Sequence, residues 1–114
     1  MAFSKEQLQL IEREVSALCE RRCPAHLREQ IYLRYDIKNH QVFIREVRRD
    51  WRDPSEWIET DVAKLRFLGP SNAWRLYWKR ASGKWWLYEP HSQSSTLPAM
   101  LAEIDLDPDG CFFG

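Results

Sequence analysis

The chain has 114 residues, 44% hydrophobic and 30% charged, so it can bury one core and is too apolar to be intrinsically disordered. Its net charge is zero, which excludes a uniformly basic or acidic protein. There is no signal-peptide pattern and no apolar run long enough to cross a membrane, so we expect one cytoplasmic domain over residues 1–114. The odd number of cysteines, three, favours a reducing compartment over a disulfide framework.

The first predicted element is a helix over about residues 4–22. Ser4 and Gln7 have the spacing of a capping box, in which each side chain accepts the other's backbone N–H. Apolar residues then recur at helical spacing, at Leu8, Ile11, Val15 and Leu18. Pro24 ends the helix, because the residue before a proline disfavours helical geometry.

The strands are predicted within about residues 30–90. Residues 31–38 alternate apolar and polar, and a turn at Asn39 and His40 connects them to a β-rich run over 42–47. The acidic segment 53–56 has the spacing of a capping box and predicts one turn of helix. Glu59 and Asp61 are assigned to the same loop, and a third strand is expected over 62–68.

A second hairpin is predicted from residues 74–79 and 84–89, with its turn at Ser82 and Gly83. Its alternation places Trp74, Trp78 and Trp85 in the core. A short helix follows over about residues 97–105. The sequence therefore predicts an α+β domain with a five-stranded, mostly antiparallel meander and both helices on one sheet face.

The second hairpin and the end of the chain also carry a family resemblance. The residues concerned are Ala63, Lys64, Arg66, Phe67, Trp74, Leu76, Tyr77, Trp78, Lys84, Trp85, Tyr88, Asp107, Pro108, Gly110, Cys111, Phe112, Phe113 and Gly114. Together they resemble a bacterial family known as domain of unknown function 3024. The resemblance implies a bacterial, stand-alone protein and carries over no catalytic or binding residue.

The predicted strands are rich in Lys and Arg, and this points to a binding face. The candidate residues that would project from the uncovered side of the sheet are Arg34, Lys64, Arg66, Arg75, Tyr77, Lys79, Trp86 and Tyr88. Rings that stack on bases, beside cations that meet phosphates, suit an anionic partner such as single-stranded nucleic acid. The alternative is that these cations lie over the rings of their own sheet.

Catalysis has weaker support in the sequence. Asp36 and Glu46 could face each other across the first hairpin and hold a metal ion for hydrolysis, with His26, His40 or His91 as acid or base. Pairing of those carboxylates with cross-strand arginines is the simpler interpretation. The chain has no phosphate-binding loop or nucleophile motif, so the sequence favours binding over an enzyme.

Zinc and calcium sites are candidates with simpler alternatives, and we assign no cofactor. Zinc ligands would be Cys19, Cys23 and His26, with Cys111 or His91 as the fourth, although Cys19 beside an apolar stripe is typical of a buried thiol. The start of a calcium loop is present at Asp105, Asp107, Asp109 and Gly110, but the chain lacks its closing Glu. The simpler interpretation is an acidic turn that anchors Phe112 and Phe113 in the core.

A third functional hypothesis is protein docking. Trp51 and Trp57 flank the acidic loop and could form an exposed patch for another protein or for a second copy of this chain. The sequence leaves monomer and homodimer open.

Overall fold

The computed structural model describes residues 3–113, in which two helices pack on one face of a six-stranded antiparallel sheet. Helix α1 covers Lys5–Arg22 and α2 covers Leu97–Leu106. The strands are β1 Ile31–Lys38, β2 Gln41–Arg49, β3 Trp57–Leu68, β4 Ala73–Lys79, β5 Trp85–Leu87 and β6 Gln93–Ser94. The predicted α+β meander is confirmed, and the two-residue β6, which pairs with β4, is an addition to it. No helix within residues 3–113 is long and apolar enough to span a membrane.

Helix α1 begins at the predicted capping box. Ser4 N donates to Gln7 Oε1 at 2.8 Å, and Gln7 N donates to Ser4 Oγ at 3.2 Å. Ile11, Val15 and Leu18 are fully buried against the sheet, whereas Leu8 remains 40% exposed. The packed stripe of α1 therefore starts at Ile11, three residues later than the predicted start at Leu8.

The core lies between the helices and one face of the sheet, which we call the covered face; the opposite side is the open face. Neighbouring strands supply Leu33, Ile44, Leu65 and Leu76 to the covered face, and α2 supplies Leu97, Met100, Leu101 and Ile104. Phe3 stacks on Trp74 with 5.6 Å between ring centroids, which closes the core at the start of α1.

A β-bulge at Val62 divides β3 into two halves of opposite alternation. Ile44 pairs with Ala63, but the next residue, Arg45, pairs with Asp61, so Val62 has no partner in β2. Val62 and Ala63 are consequently both buried. After the bulge, Lys64 and Arg66 lie on the open face, and before it Glu59 and Asp61 do. Their assignment to a loop is wrong, because β3 starts at Trp57.

The β4–β5 loop is one residue longer than predicted. Arg80 N donates to Lys84 O at 3.0 Å, which leaves residues 81–83 as the loop, with Gly83 at φ 85°. Trp85 therefore pairs with Lys79, and Trp86 pairs with Trp78. This places Trp85 on the open face and Trp86 on the covered side, so the predicted faces of both residues are wrong.

The acidic segment before β3 forms a turn rather than the predicted turn of helix. Glu56 N donates to Asp53 O at 2.9 Å, and the Asp53 carboxylate accepts from Ser55 Oγ at 2.6 Å. The side chain of Asp53 thus satisfies the turn locally, in the manner of an Asx-turn.

The C-terminal segment is held by Asp107, as the simpler interpretation of the acidic tail predicts. Asp107 ends α2 in the left-handed region at φ 45°, and its carboxylate accepts from the backbone N–H groups of Phe112 at 3.0 Å and Phe113 at 2.9 Å. Phe112 is then buried against Tyr88, with 5.0 Å between ring centroids. The carboxylate that the calcium hypothesis requires is thereby engaged by the chain itself.

We predict that Asp107→Ala lowers the free energy of unfolding by about 2 kcal/mol, since two backbone donors lose a charged acceptor. Urea denaturation followed by circular dichroism measures the change. Asp109→Ala removes an exposed carboxylate two residues away and should leave the midpoint nearly unchanged. Equal midpoints for the two variants would contradict the anchoring role.

Candidate functional site

The open face carries side chains in rows that run across the strands, because directly paired residues of an antiparallel sheet point to the same side. Six of its charged residues form what we call the paired network: Arg34, Asp36, Arg45, Glu59, Asp61 and Lys79. Three cations and three carboxylates balance, so this part of the face is close to neutral.

Arg34 and Arg45 connect the carboxylates of the paired network. Arg34 contacts Glu59 at 2.7 Å and Asp36 at 2.8 Å. Arg45 also binds Asp36, and its Nε lies 2.9 Å from Asp61 Oδ1. Arg34 and Asp36 lie on the open face as predicted, but they are occupied with each other and with β3.

Asp61 is the most constrained carboxylate of the paired network. Lys79 Nζ lies 2.6 Å from its Oδ2 and Arg45 Nε lies 2.9 Å from its Oδ1. Burial raises the pKa of Asp61, but hydrogen bonds from Lys79 and Arg45 outweigh it, so the pKa is lowered overall. Lys79, a predicted binding residue, is therefore paired internally.

A second set of residues, which we call the basic row, has no acidic member. It follows the register from β1 to β6 through Lys38, Gln41, Arg66, Arg75 and Gln93. Lys38, Arg66 and Arg75 are exposed. Within residues 3–113 no carboxylate lies within ion-pair distance of these three cations, and Arg75 Nε donates only to Gln93 Oε1, at 3.3 Å.

The next line of paired residues after the basic row contains aromatic rings and Lys64. Phe43 pairs with Lys64, which pairs with Tyr77. Lys64 Nζ lies 4.5 Å from the centroid of Tyr77 and 5.5 Å from that of Trp85. Burial, and to a lesser degree the charge of Arg66, lowers the pKa of Lys64. Lys64 thus covers rings of its own sheet, as the alternative interpretation of the cations predicts.

Two of the predicted binding residues, Trp86 and Tyr88, do not lie on the open face. Trp86 is 51% exposed on the other side of β5, with Arg80 4.2 Å above its ring. Tyr88 is 1% exposed and donates to Glu103 Oε2 of α2 at 2.8 Å. Burial and Glu103 raise the pKa of Tyr88, which is typical of a neutral core hydroxyl. Both misplacements come from the longer β4–β5 loop, which inverts the alternation.

The prediction that Asp36 and Glu46 face each other across the first hairpin is also wrong. Asp36 pairs with Phe43 on the open face, whereas Glu46 pairs with Leu33 on the covered face, so the sheet separates the two carboxylates. The histidines are dispersed: His26 follows α1, His40 contacts the ring of Phe3, and His91 lies 3.7 Å from Glu103. The structure therefore brings none of these candidate acids and bases together around Asp36.

The cysteines lie in surroundings that disfavour the thiolate. Cys19 and Cys23 pack at the edge of the core near the end of α1, and Cys111 packs in the C-terminal segment. Burial raises the pKa of all three, that of Cys19 to about 11. Across residues 3–113 no group of three or more His, Cys, Asp or Glu side chains is arranged to hold a metal ion.

The tryptophans near the acidic turn differ in their contacts. Trp51 is 83% exposed and Trp57 is 41% exposed. Trp57 contacts Tyr32, with 5.7 Å between ring centroids, and Arg49 lies 4.4 Å above it. Trp57 is thus part of the sheet surface, while Trp51 contacts Arg52 in the turn.

A pocket of about 340 Å³ lies away from the open face. It is formed between the starts of α1 and α2 and the rings of Phe67 and Trp74. None of the side chains that line it carries a charge, so it does not suit an anionic ligand.

Comparison with known protein families identifies the family of this chain. A family model described as Domain of unknown function (DUF3024) matches residues 3–114. No curated protein and no solved structure matches the chain. The family description contains no activity, so the function has to be argued from the open face.

We predict that Cys19 reacts with iodoacetamide on the order of a hundredfold more slowly at about pH 8 than an unperturbed thiol, because each unit of pKa lowers the thiolate fraction about tenfold. The measurement is mass spectrometry of alkylated peptides over time. Alkylation in denaturant is the control and should proceed at the rate of a free thiol. Rapid alkylation of native Cys19 would contradict the burial that raises its pKa.

Proposed function

The chain belongs to the family described as Domain of unknown function (DUF3024), and we propose that it binds single-stranded nucleic acid with the open face of its sheet. The observation that carries the proposal is the basic row, with Lys38, Arg66 and Arg75 exposed and without carboxylate partners in residues 3–113. Within the paired network the cations are balanced by Asp36, Glu59 and Asp61, and Lys64 lies over the ring of Tyr77.

The geometry of the basic row suits an extended anionic chain. Strands of a sheet lie about 4.8 Å apart, so the row spans roughly 15 Å from Lys38 on β1 to Arg75 on β4. Arg66 and Arg75 are direct partners in the register. Adjacent like charges repel each other in the free protein, and an anion bound between them relieves that repulsion.

Rings next to the basic row can receive stacked bases when the base displaces Lys64, whose Nζ lies 4.5 Å from the centroid of Tyr77 in the free protein. Tyr77 lies beside Arg66 and Arg75 in the register, and Trp85 follows on β5. Stacking on an aromatic side chain contributes about 1–3 kcal/mol per base and depends little on sequence. Gln41 and Gln93 add amide groups that both donate and accept hydrogen bonds.

Fluorescence anisotropy with a labelled single-stranded oligonucleotide tests the proposal. The triple variant Lys38→Ala, Arg66→Ala, Arg75→Ala should bind at least about tenfold more weakly at low salt, and its log–log salt slope should fall by about 2, because each phosphate contact contributes about 0.7. Lys5→Ala, an exposed cation on α1, is the control and should bind as wild type. No binding by wild type at low salt, or equal binding by the triple variant, would refute the proposal.

Stacking is tested separately at Tyr77. Tyr77→Leu should weaken binding by about 1–3 kcal/mol, whereas Tyr77→Phe keeps the ring and should bind like wild type. The same titration with a polyphosphate, which has no bases, should show little difference between Tyr77→Leu and wild type. Equal oligonucleotide binding by Tyr77→Leu and Tyr77→Phe would show that bases do not stack there.

A further inference from the structure

Strand β1 forms one edge of the sheet, and among residues 3–113 it pairs with β2 on one side and with no strand on the other. Gln30 O accepts from Arg49 N at 3.0 Å, and backbone direction alternates along a strand. The even-numbered residues of β1 therefore bond to β2. The backbone groups that point away from the sheet belong to Ile31, Leu33, Tyr35 and Ile37.

We propose that two copies of this chain associate through β1, in antiparallel pairing about a two-fold axis at Tyr35. In this register Tyr35 faces Tyr35 of the second copy, and Leu33 faces Ile37 of the second copy. The outward N–H and C=O groups of one copy then bond to the outward C=O and N–H groups of the other. The two β1 strands thus form a regular antiparallel ladder. The inference goes beyond nucleic-acid binding and does not depend on it.

The charges of β1 select this register. With the axis at Tyr35, Arg34 lies opposite Asp36 of the second copy, and the symmetry repeats the contact. A slip of two residues in either direction instead places Arg34 opposite Arg34, or Asp36 opposite Asp36. Directly opposed like charges destabilise a sheet, so the edge is complementary to itself in one register and repulsive in the neighbouring ones.

The residues around the β1 edge also favour a second copy of this chain as the partner. Ile37 is 39% exposed although it alternates with the buried side of β1. A depression of about 190 Å³ lies along the edge, between Ser16 and Cys19 of α1 and Leu33 and Tyr35 of β1. A second β1 strand would cover Ile37 with Leu33 and bring its Tyr35 to this depression.

The paired network permits two copies to meet without a net electrostatic cost. Arg34 and Asp36 belong to the balanced part of the open face, so the two-fold axis passes through its neutral half. Tyr32 of one copy lies opposite Lys38 of the other, where a cation can lie over a ring. Edge strands that natural proteins keep apart usually carry uncompensated charge or proline. Strand β1 has no proline, and its one charge outside the paired network is Lys38, at the end of the strand.

The test uses charge reversal and mixing. Sedimentation equilibrium should give twice the chain mass for the wild type. Arg34→Asp leaves carboxylates at positions 34 and 36, and Asp36→Arg leaves two guanidinium groups there, so each variant alone should be monomeric. An equimolar mixture of the two should return to twice the chain mass, because every opposed pair is then complementary. Lys84→Asp, a charge reversal at an exposed lysine next to the β4–β5 loop, should remain dimeric.

The proposal is overturned if the wild type has the mass of one chain at all concentrations, if both single variants remain dimeric, or if the mixture stays monomeric. Circular dichroism of each variant establishes that it is folded. Hydrogen exchange on the wild type provides a readout that needs no variant. The outward amides of Leu33, Tyr35 and Ile37 should exchange more slowly at high than at low protein concentration, and exchange independent of concentration would also refute the dimer.

Discussion

Side chains along a β-strand alternate between the two faces of the sheet, and one extra residue inverts this alternation. This inversion decides which side chains lie on the open face of the protein. The bulge at Val62 inverts β3, and the long β4–β5 loop inverts β5. Without the bulge, Glu59 and Asp61 would point at the helices, where their charges could not be solvated. With it, they meet Arg34, Arg45 and Lys79 on the open face, while Val62 joins the core.

The division of charge on the open face follows from the position of the bulge. Carboxylates reach this face mainly through the part of β3 before Val62, so the strands are cross-linked by ion pairs there. Beyond Val62, β3 contributes Lys64 and Arg66 instead, and the field is positive. A neutral chain can thus present a basic surface at one end of its sheet, where the potential depends on local arrangement and not on net charge.

The sequence predicted those elements whose signals are local. The capping box at Ser4, the alternation of residues 31–38 and the two-residue turn at Asn39 and His40 are confirmed, since each depends on residues close in the chain. The sequence did not predict the first half of β3, because Glu59 and Asp61 have low β propensity and follow an acidic turn. Pairing with Arg34 and Arg45 across strands makes that half stable, and no local pattern contains this information.

The sheet faces that Trp85 and Trp86 occupy could not be predicted from the sequence. Trp85 and Trp86 are equally large and adjacent, so alternation alone cannot tell which one enters the core. The answer depends on whether residues 81–83 or only Ser82 and Gly83 form the loop. Tyr88 was assigned to the binding face by the same alternation, and its burial against Phe112 depends on the far end of the chain.

The contacts between α1 and the C-terminal part of the chain have a consequence for folding of the protein. Arg21, near the end of α1, pairs with Asp105 at 3.3 Å, and Arg22 lies 3.7 Å above the ring of Phe113. Helix α1 precedes the sheet in the chain and α2 follows it, and Arg21 and Asp105 are 84 residues apart. Contact between the two helices therefore closes a long loop, and contacts of this kind slow folding.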